Sequence, residues 1–149
     1  MLKFEQEYKS IKDADVKAVE DLIGSKLPDD YKKFILKFNG AGVPIEFEGN
    51  YKFQVNDNLY TFEWFLPIKH GYGTDDKEGT IESGYNHKIS IFHPQYLVIG
   101  NATEGTILMG MDKSNHGQIF FYEEGEDIYK IRNSFTQLVE SMEAHPWEY

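Results

Sequence analysis

The sequence predicts an α+β fold: a single, mostly antiparallel sheet flanked by N-terminal helices and a C-terminal helix. Three observations predict it. Apolar residues recur with the helical period between Asp13 and Phe38, switch to a period near two from Val43 onward, and return to the helical period after Ser134. Helical patterns at the two ends of a run of strands, with no internal repeat, favour segregated helices over alternating βα units. At 149 residues the chain is expected to form one domain, 1–149, large enough to bury a substantial core.

The first helix carries Val16, Val19, Leu22 and Ile23 on one face, with Asp13 or Asp15 available to cap its start and Gly24 placed to close it. The second is the most legible segment. Pro28 suits the first helical position, and Asp29 and Asp30 set negative charge against the positive end of the helix dipole. Tyr31, Phe34, Ile35 and Phe38 then form one apolar stripe, Lys32, Lys33 and Lys37 face water, and Asn39-Gly40 permits a left-handed exit.

From Val43 the residues alternate: Val43, Ile45 and Phe47 against Pro44, Glu46 and Glu48, which predicts a strand ending at Gly49-Asn50. Tyr51, Phe53 and Val55 predict the next strand, and Asn56-Asp57-Asn58 its hairpin connection. The return strand places Tyr60, Phe62 and Trp64 on one side and Thr61, Glu63 and Phe65 on the other, and Pro67 ends it. Residues 69–88 hold several glycines and little periodicity, which predicts a long exposed excursion with at most a short helical turn. Ile89 and Ile91 resume the strand pattern up to Pro94. Tyr96–Gly100 reads as a central strand, and Thr106–Met111 and Gln118–Tyr122 as a second hairpin. After the acidic turn Glu123–Asp127 and a short strand at Tyr129–Ile131, Ser134 and Gln137 form a capping box for a last helix that buries Phe135, Leu138, Val139 and Met142.

Composition removes whole classes of function. A hydrophobic share of 40% excludes a disordered polyanion, and a net charge of −10 disfavours a nucleic-acid reader, which needs a basic face. No run approaches the roughly 18 apolar residues of a membrane span and the opening residues lack a signal-peptide core, so a cytoplasmic protein is expected. The absence of cysteine excludes disulfides, thiol nucleophiles and thiolate-ligated metals. His70, His87, His93, His116 and His145 form no ligand pair at helical spacing, and Asp75-Asp76-Lys77-Glu78-Gly79 lacks the ligand alternation of a calcium loop. Gly71-Tyr72-Gly73 lacks the third glycine and the strand–helix context of a phosphate cradle. No catalytic, cofactor-binding or metal-binding residue is assigned, and no cofactor is expected.

The acidic surface is more informative. Glu46, Glu48, Asp57 and Glu63 lie on or beside the first meander among Tyr51, Tyr60 and Trp64, a composition suited to a basic protein partner. Asp75, Asp76 and Glu78 in the excursion, and Glu123, Glu124, Glu126 and Asp127 in the acidic turn, are rival patches. The candidate partner-binding set is therefore Glu46, Glu48, Asp57, Glu63, Trp64, Asp75, Asp76 and Glu78.

Three blocks in fixed order carry a family resemblance: Leu27–Phe34 ending in Asn39-Gly40, then Val98-Ile99-Gly100-Asn101 leading to Gly105, then Ile131–Phe135 before a helix. Together they resemble the SMI1/KNR4 family of the SUKH superfamily, over about Asp13 to Met142. The resemblance implies an α+β fold, no catalytic site in most members, and, in bacteria, service as immunity proteins that bind and silence a toxin domain, often a nuclease. Fungal relatives act in cell-wall regulation. The matching positions read as fold determinants and carry over no binding residue. The expected function is thus a non-enzymatic immunity protein that neutralises a basic, nuclease-type toxin; the alternative is a regulatory or scaffold protein in cell-envelope signalling.

Overall fold

The computed structural model describes residues 2–73, 75, 77–86 and 95–145. Strand β1 (Glu5–Gln6) precedes helices α1 (Asp13–Ile23) and α2 (Asp29–Lys37), and β2 (Ala41–Gly42) follows them. The chain then makes a single 3-10 turn at Ile45–Phe47, the hairpin β3 (Tyr51–Val55) and β4 (Asn58–Phe65), and helix α3 (Ile81–Asn86). It continues through β5 (Tyr96–Ala102), β6 (Gly105–Gly110), β7 (Ile119–Tyr122), β8 (Tyr129–Arg132), α4 (Phe135–Ser141) and β9 (Glu143–Ala144).

Among the described residues all strand pairs are antiparallel, in the order β1-β2-β4-β5-β6-β7-β8, as the α+β reading expects. Strand β3 lies off this path, between β4 and β9. One side of β4 therefore has two partners, with β3 pairing Asn58–Thr61 and β2 pairing Trp64. The sheet forks between them.

Helix α2 buries Tyr31 and Ile35, while Phe34 and Phe38 are half-buried in a cluster of rings that includes Phe4, Phe65 and Phe135. Edge-on and tilted packing of these rings joins α2, α4 and the sheet and adds to the burial of their area. Pro28 stands one position earlier than expected, as the residue whose carbonyl accepts the first helical bond, from Lys32 N at 2.9 Å. The exit is the one foreseen. Gly40 has φ +66°, and a Cβ there would lie 2.2 Å from the Tyr8 ring, so conformation and space both require glycine.

Asn39 does more than end the helix. Fully buried, its Nδ2 donates to Ile68 O at 2.9 Å and Lys9 O at 2.8 Å, and its Oδ1 accepts from Ile68 N at 2.8 Å. One amide thus ties α2 to the segment before α1 and to the end of β4.

The other caps differ in detail. Lys12 is the N-cap of α1, and Asp15 serves it from the first turn by accepting from Lys12 N at 2.9 Å; Gly24 closes the helix at φ +77°. At α4, Ser134 Oγ accepts from Gln137 N at 3.1 Å, but Gln137 Oε1 accepts from Asn133 N rather than from Ser134, so the box is shifted by one residue. The stripe Phe135, Leu138, Val139 and Met142 is buried as its spacing predicts.

Three readings need correction. Val43–Phe47 is not a strand: only Ala41–Gly42 pairs, and the alternating stretch forms the 3-10 turn, with Phe47 N donating to Pro44 O at 2.8 Å. Pro44 has no N–H for a ladder, and it outweighed the apolar alternation around it. The excursion is not wholly exposed, because Thr80 and Ile81 are buried, α3 packs on β5 and α1, and Ile81 N donates to Pro67 O at 2.9 Å. Strict alternation also fails in β4, where Phe62 and Phe65 are both buried and Trp64 is not. The expected pattern at Ile89, Ile91 and Pro94, together with His87 and His93, lies outside the described residues. The strands Tyr96–Gly100, Thr106–Met111, Gln118–Tyr122 and Tyr129–Ile131 are all present, with ends shifted by a residue or two.

Two buried polar groups should respond oppositely to removal. Asn39→Ala is expected to cost about 2–4 kcal/mol in urea unfolding, because it strands the Ile68 N–H and carbonyls in the core. The Tyr31 hydroxyl is buried with no hydrogen-bond partner among the described residues, and burial followed by the charge of Glu82 pushes its phenol far above the ordinary range. Tyr31→Phe is expected to leave stability unchanged or raise it by up to about 1 kcal/mol.

Asp15 supplies a pH signature. The Lys12 N–H and then Lys69 hold its carboxyl below the ordinary 3.8, so its stabilising effect is complete above that value and is lost as pH falls through the lowered one. Thermal melts of Asp15→Asn should lie below the parent at neutral pH and converge with it in acid.

Candidate protein-interaction face

Trp64 is turned outward by a register shift. Phe62 pairs with Ala102 and Trp64 with its neighbour Asn101, so two steps along β4 match one along β5. This is a β-bulge, and it reverses the facing of the residues beyond it. Phe62 and Phe65 both point into the core, while Trp64, predicted on the same side as Phe62, is 43% exposed. With its amide oriented to suit its neighbours, Asn101 Oδ1 accepts from Trp64 Nε1 at 3.2 Å and its Nδ2 donates to Gly100 O at 3.3 Å. The indole is thereby held at one end with its body uncovered.

Residues directly opposite in paired strands share a face. Register therefore sets Glu5, Gly42, Trp64, Asn101, Thr106 and Tyr122 in one row across β1, β2, β4, β5, β6 and β7. Beside this row the outer face is concave. A groove of about 700 Å³ at the fork is walled by Glu5, Glu7, Glu48 and Glu63, with Val43, Gly42 and Trp64 among its lining. A second hollow of about 620 Å³ shares Glu63, Trp64 and Thr103 with the first and reaches Glu104 and Glu124. Trp64 is the ridge between them. Ile45, 79% exposed on the 3-10 turn, adds a further apolar rim.

Among the described residues, no lysine or arginine lines either hollow. Lys52 stands against the groove wall, where its Nζ donates to Oγ1 of the lining residue Thr61 at 2.5 Å. The ion pairs among the described residues are Lys17–Asp21, Lys32–Asp13 and Lys69–Asp15, His145 Nε2 lies 3.5 Å from Glu143, and none of these involves a carboxylate of the groove. Glu46 and Glu5 also act on Tyr51, whose phenol is raised first by burial and then by those two charges. Among the described residues no three acidic or histidine side chains converge as a metal cage would require.

The predicted binding residues are dispersed by this geometry. Glu48, Glu63 and Trp64 meet at the groove. Glu46 lies on the same 3-10 turn without lining it, and Asp57 sits at the tip of the β3–β4 hairpin. Asp75 and Glu78 belong to the excursion, where Tyr72 and Glu78 form a bridge, and neither lines the groove; Asp76 lies outside the described residues. In the rival acidic turn, a hydrogen bond to Glu123, ahead of burial and Tyr129, drives the Tyr60 phenol up, so that carboxylate is already engaged.

Sequence reasoning missed Glu5, Glu7 and Glu104. Glu104 also accepts from Thr61 N at 2.9 Å, across the β4–β5 pairing. No local signal marks Glu5 or Glu7, because β1 is only two residues long and reaches the groove through long-range pairing with β2.

The fold and the face define an α+β domain with an acidic, aromatic-centred surface. Residues 10–141 match the SMI1 / KNR4 family (SUKH-1), which covers most of the chain, and the protein belongs to that family. No curated protein matches the chain. Membership supports an immunity-type, protein-binding role in general terms, in a family that is generally non-enzymatic. No helix among the described residues is long and apolar enough to cross a membrane.

Because the groove carboxylates form no ion pair among the described residues, Glu48→Gln and Glu63→Gln should each change unfolding free energy by less than about 0.5 kcal/mol. A loss above about 1 kcal/mol in denaturant titrations would give those side chains a structural task instead.

Proposed function

We propose that this chain is a cytoplasmic, non-enzymatic immunity protein, one domain over 1–149, that binds and neutralises a bacterial toxin domain of basic, nuclease type. The observation that carries the reading is the groove at Trp64: carboxylates without ion-pair partners among the described residues surround an exposed indole, in a family whose role is protein binding. A nuclease has to hold phosphates and so presents positive charge, which an acidic protein can approach by electrostatic steering and cover. Glu48, Glu63 and Trp64 would form the centre of contact, with Glu46 at its margin. Asp57, Asp75, Asp76 and Glu78 are assigned to long-range attraction rather than to the contact.

Two measurements test the reading. Co-expression with a toxin domain encoded beside this gene should rescue cells that the toxin otherwise kills. With the purified pair, the association rate should fall about tenfold or more between roughly 20 and 500 mM salt, while dissociation changes far less. Failure to protect, or association rates indifferent to salt, would overturn the proposal.

A further inference from the structure

We propose that the groove beside Trp64 is an arginine site, taking an extended arginine-bearing segment of the partner with its guanidinium on the indole and between the flanking glutamates. The inference rests on the toxin-neutralising reading for the identity of the partner, but not for the chemistry of the contact.

Four features of the face select this occupant. The two hollows adjoin along Glu63, Trp64 and Thr103, an elongated arrangement that suits a length of extended chain better than a compact ligand. Gly42 lies directly opposite Trp64, and its lack of a side chain makes room for Glu7 over the strand: a Cβ at this position would lie 2.7 Å from Glu7 Oε1. The Asn101 contact fixes the indole N–H, so the aromatic surface is held ready rather than ordered on binding. Finally, Glu7, Glu48 and Glu63 surround this surface, with no cation in the lining among the described residues. A planar guanidinium can stack on an indole and at the same time hydrogen-bond a carboxylate side-on, whereas an ammonium is a compact, strongly hydrated charge that gains less from the ring. The lack of any three-carboxylate convergence among the described residues argues against a divalent cation as the intended ligand.

The test uses three peptides alike except at one central residue, arginine, lysine or citrulline, titrated into the ¹⁵N-labelled full chain, with spermidine in parallel. Citrulline keeps the shape of arginine and removes its charge. The arginine peptide is expected to shift the Trp64 indole resonance and the Gly42 and Glu63 amides saturably. Lysine should bind about two- to fivefold more weakly. Citrulline should leave these resonances unmoved.

Gly42→Val, which displaces the Glu7 side chain from over the strand and keeps the ring, and Trp64→Leu, which removes the ring, should each abolish the arginine preference. Far-UV circular dichroism and amide dispersion would report that both variants stay folded. Equal binding of arginine and lysine, an equal response to spermidine, or shifts confined to other surfaces would overturn the assignment. The two proposals fail separately: if the peptides show no arginine preference while the parent chain protects cells from the toxin, the arginine site is wrong and neutralisation stands. If the peptide results hold but the parent chain protects no cell, neutralisation is wrong and the arginine site stands.

Discussion

A single buried carboxamide holds the architecture in register. Asn39 sits where the best-defined helix of the chain ends, and its side chain satisfies both polar groups of Ile68 and the carbonyl of Lys9. Its own N–H donates to Gln6 Oε1 at 3.3 Å, and the neighbouring Gly40 carbonyl accepts from Glu7 N at 3.3 Å. Residues near position 8, position 39 and position 68 are thereby locked together, which no apolar contact could do with the same directionality. The short strands β1 and β2 would otherwise have little to hold them, since each is two residues long. Everything on the outer face near the fork depends on them, because β1 and β2 supply Glu5 and Gly42 to the row that contains Trp64.

The second determinant is the bulge in β4. It separates two jobs that a regular strand could not perform with the same residues. Phe62 and Phe65 join the ring cluster under the helices, with centroids 4.6 Å apart, and the aromatic side chain between them is delivered to the opposite surface. Gly100 permits this close passage, since a Cβ there would lie 2.9 Å from both Trp64 O and the Phe65 ring. The exposed indole is thus a consequence of backbone geometry that also completes the core.

Much of the fold was legible because local rules and burial agree. Helix α2, with its acidic start, apolar stripe and Asn-Gly exit, is fixed by propensity, periodicity and backbone conformation at once. The β5–β6–β7 meander was readable for the same reason. Where rules conflicted, the sequence misled: Val43, Ile45 and Phe47 alternate as a strand does, but the proline among them breaks the ladder. The bulge left no trace, since inserting one step changes facing without changing composition. The candidate face was half legible. Glu48, Glu63 and Trp64 are near one another in sequence and in space, but Glu5 and Glu7 arrive from the far end of the chain through strand pairing. Acids spread evenly along a sequence give no sign of which ones a sheet will gather.

Both ends of the described chain finish on the same short stretch. Strand β1 pairs with Gly42 and β9 with Tyr51, while His145 N donates to Asn50 O at 2.8 Å, so the 3-10 turn lies between the first and the last strands to be made. During synthesis the segment from Ala41 to Tyr51 emerges early but gains its final neighbour only when residues 143–145 have left the ribosome. Until then β3 has β4 as its one strand neighbour, and a nascent or prematurely ended product leaves that strand edge uncovered.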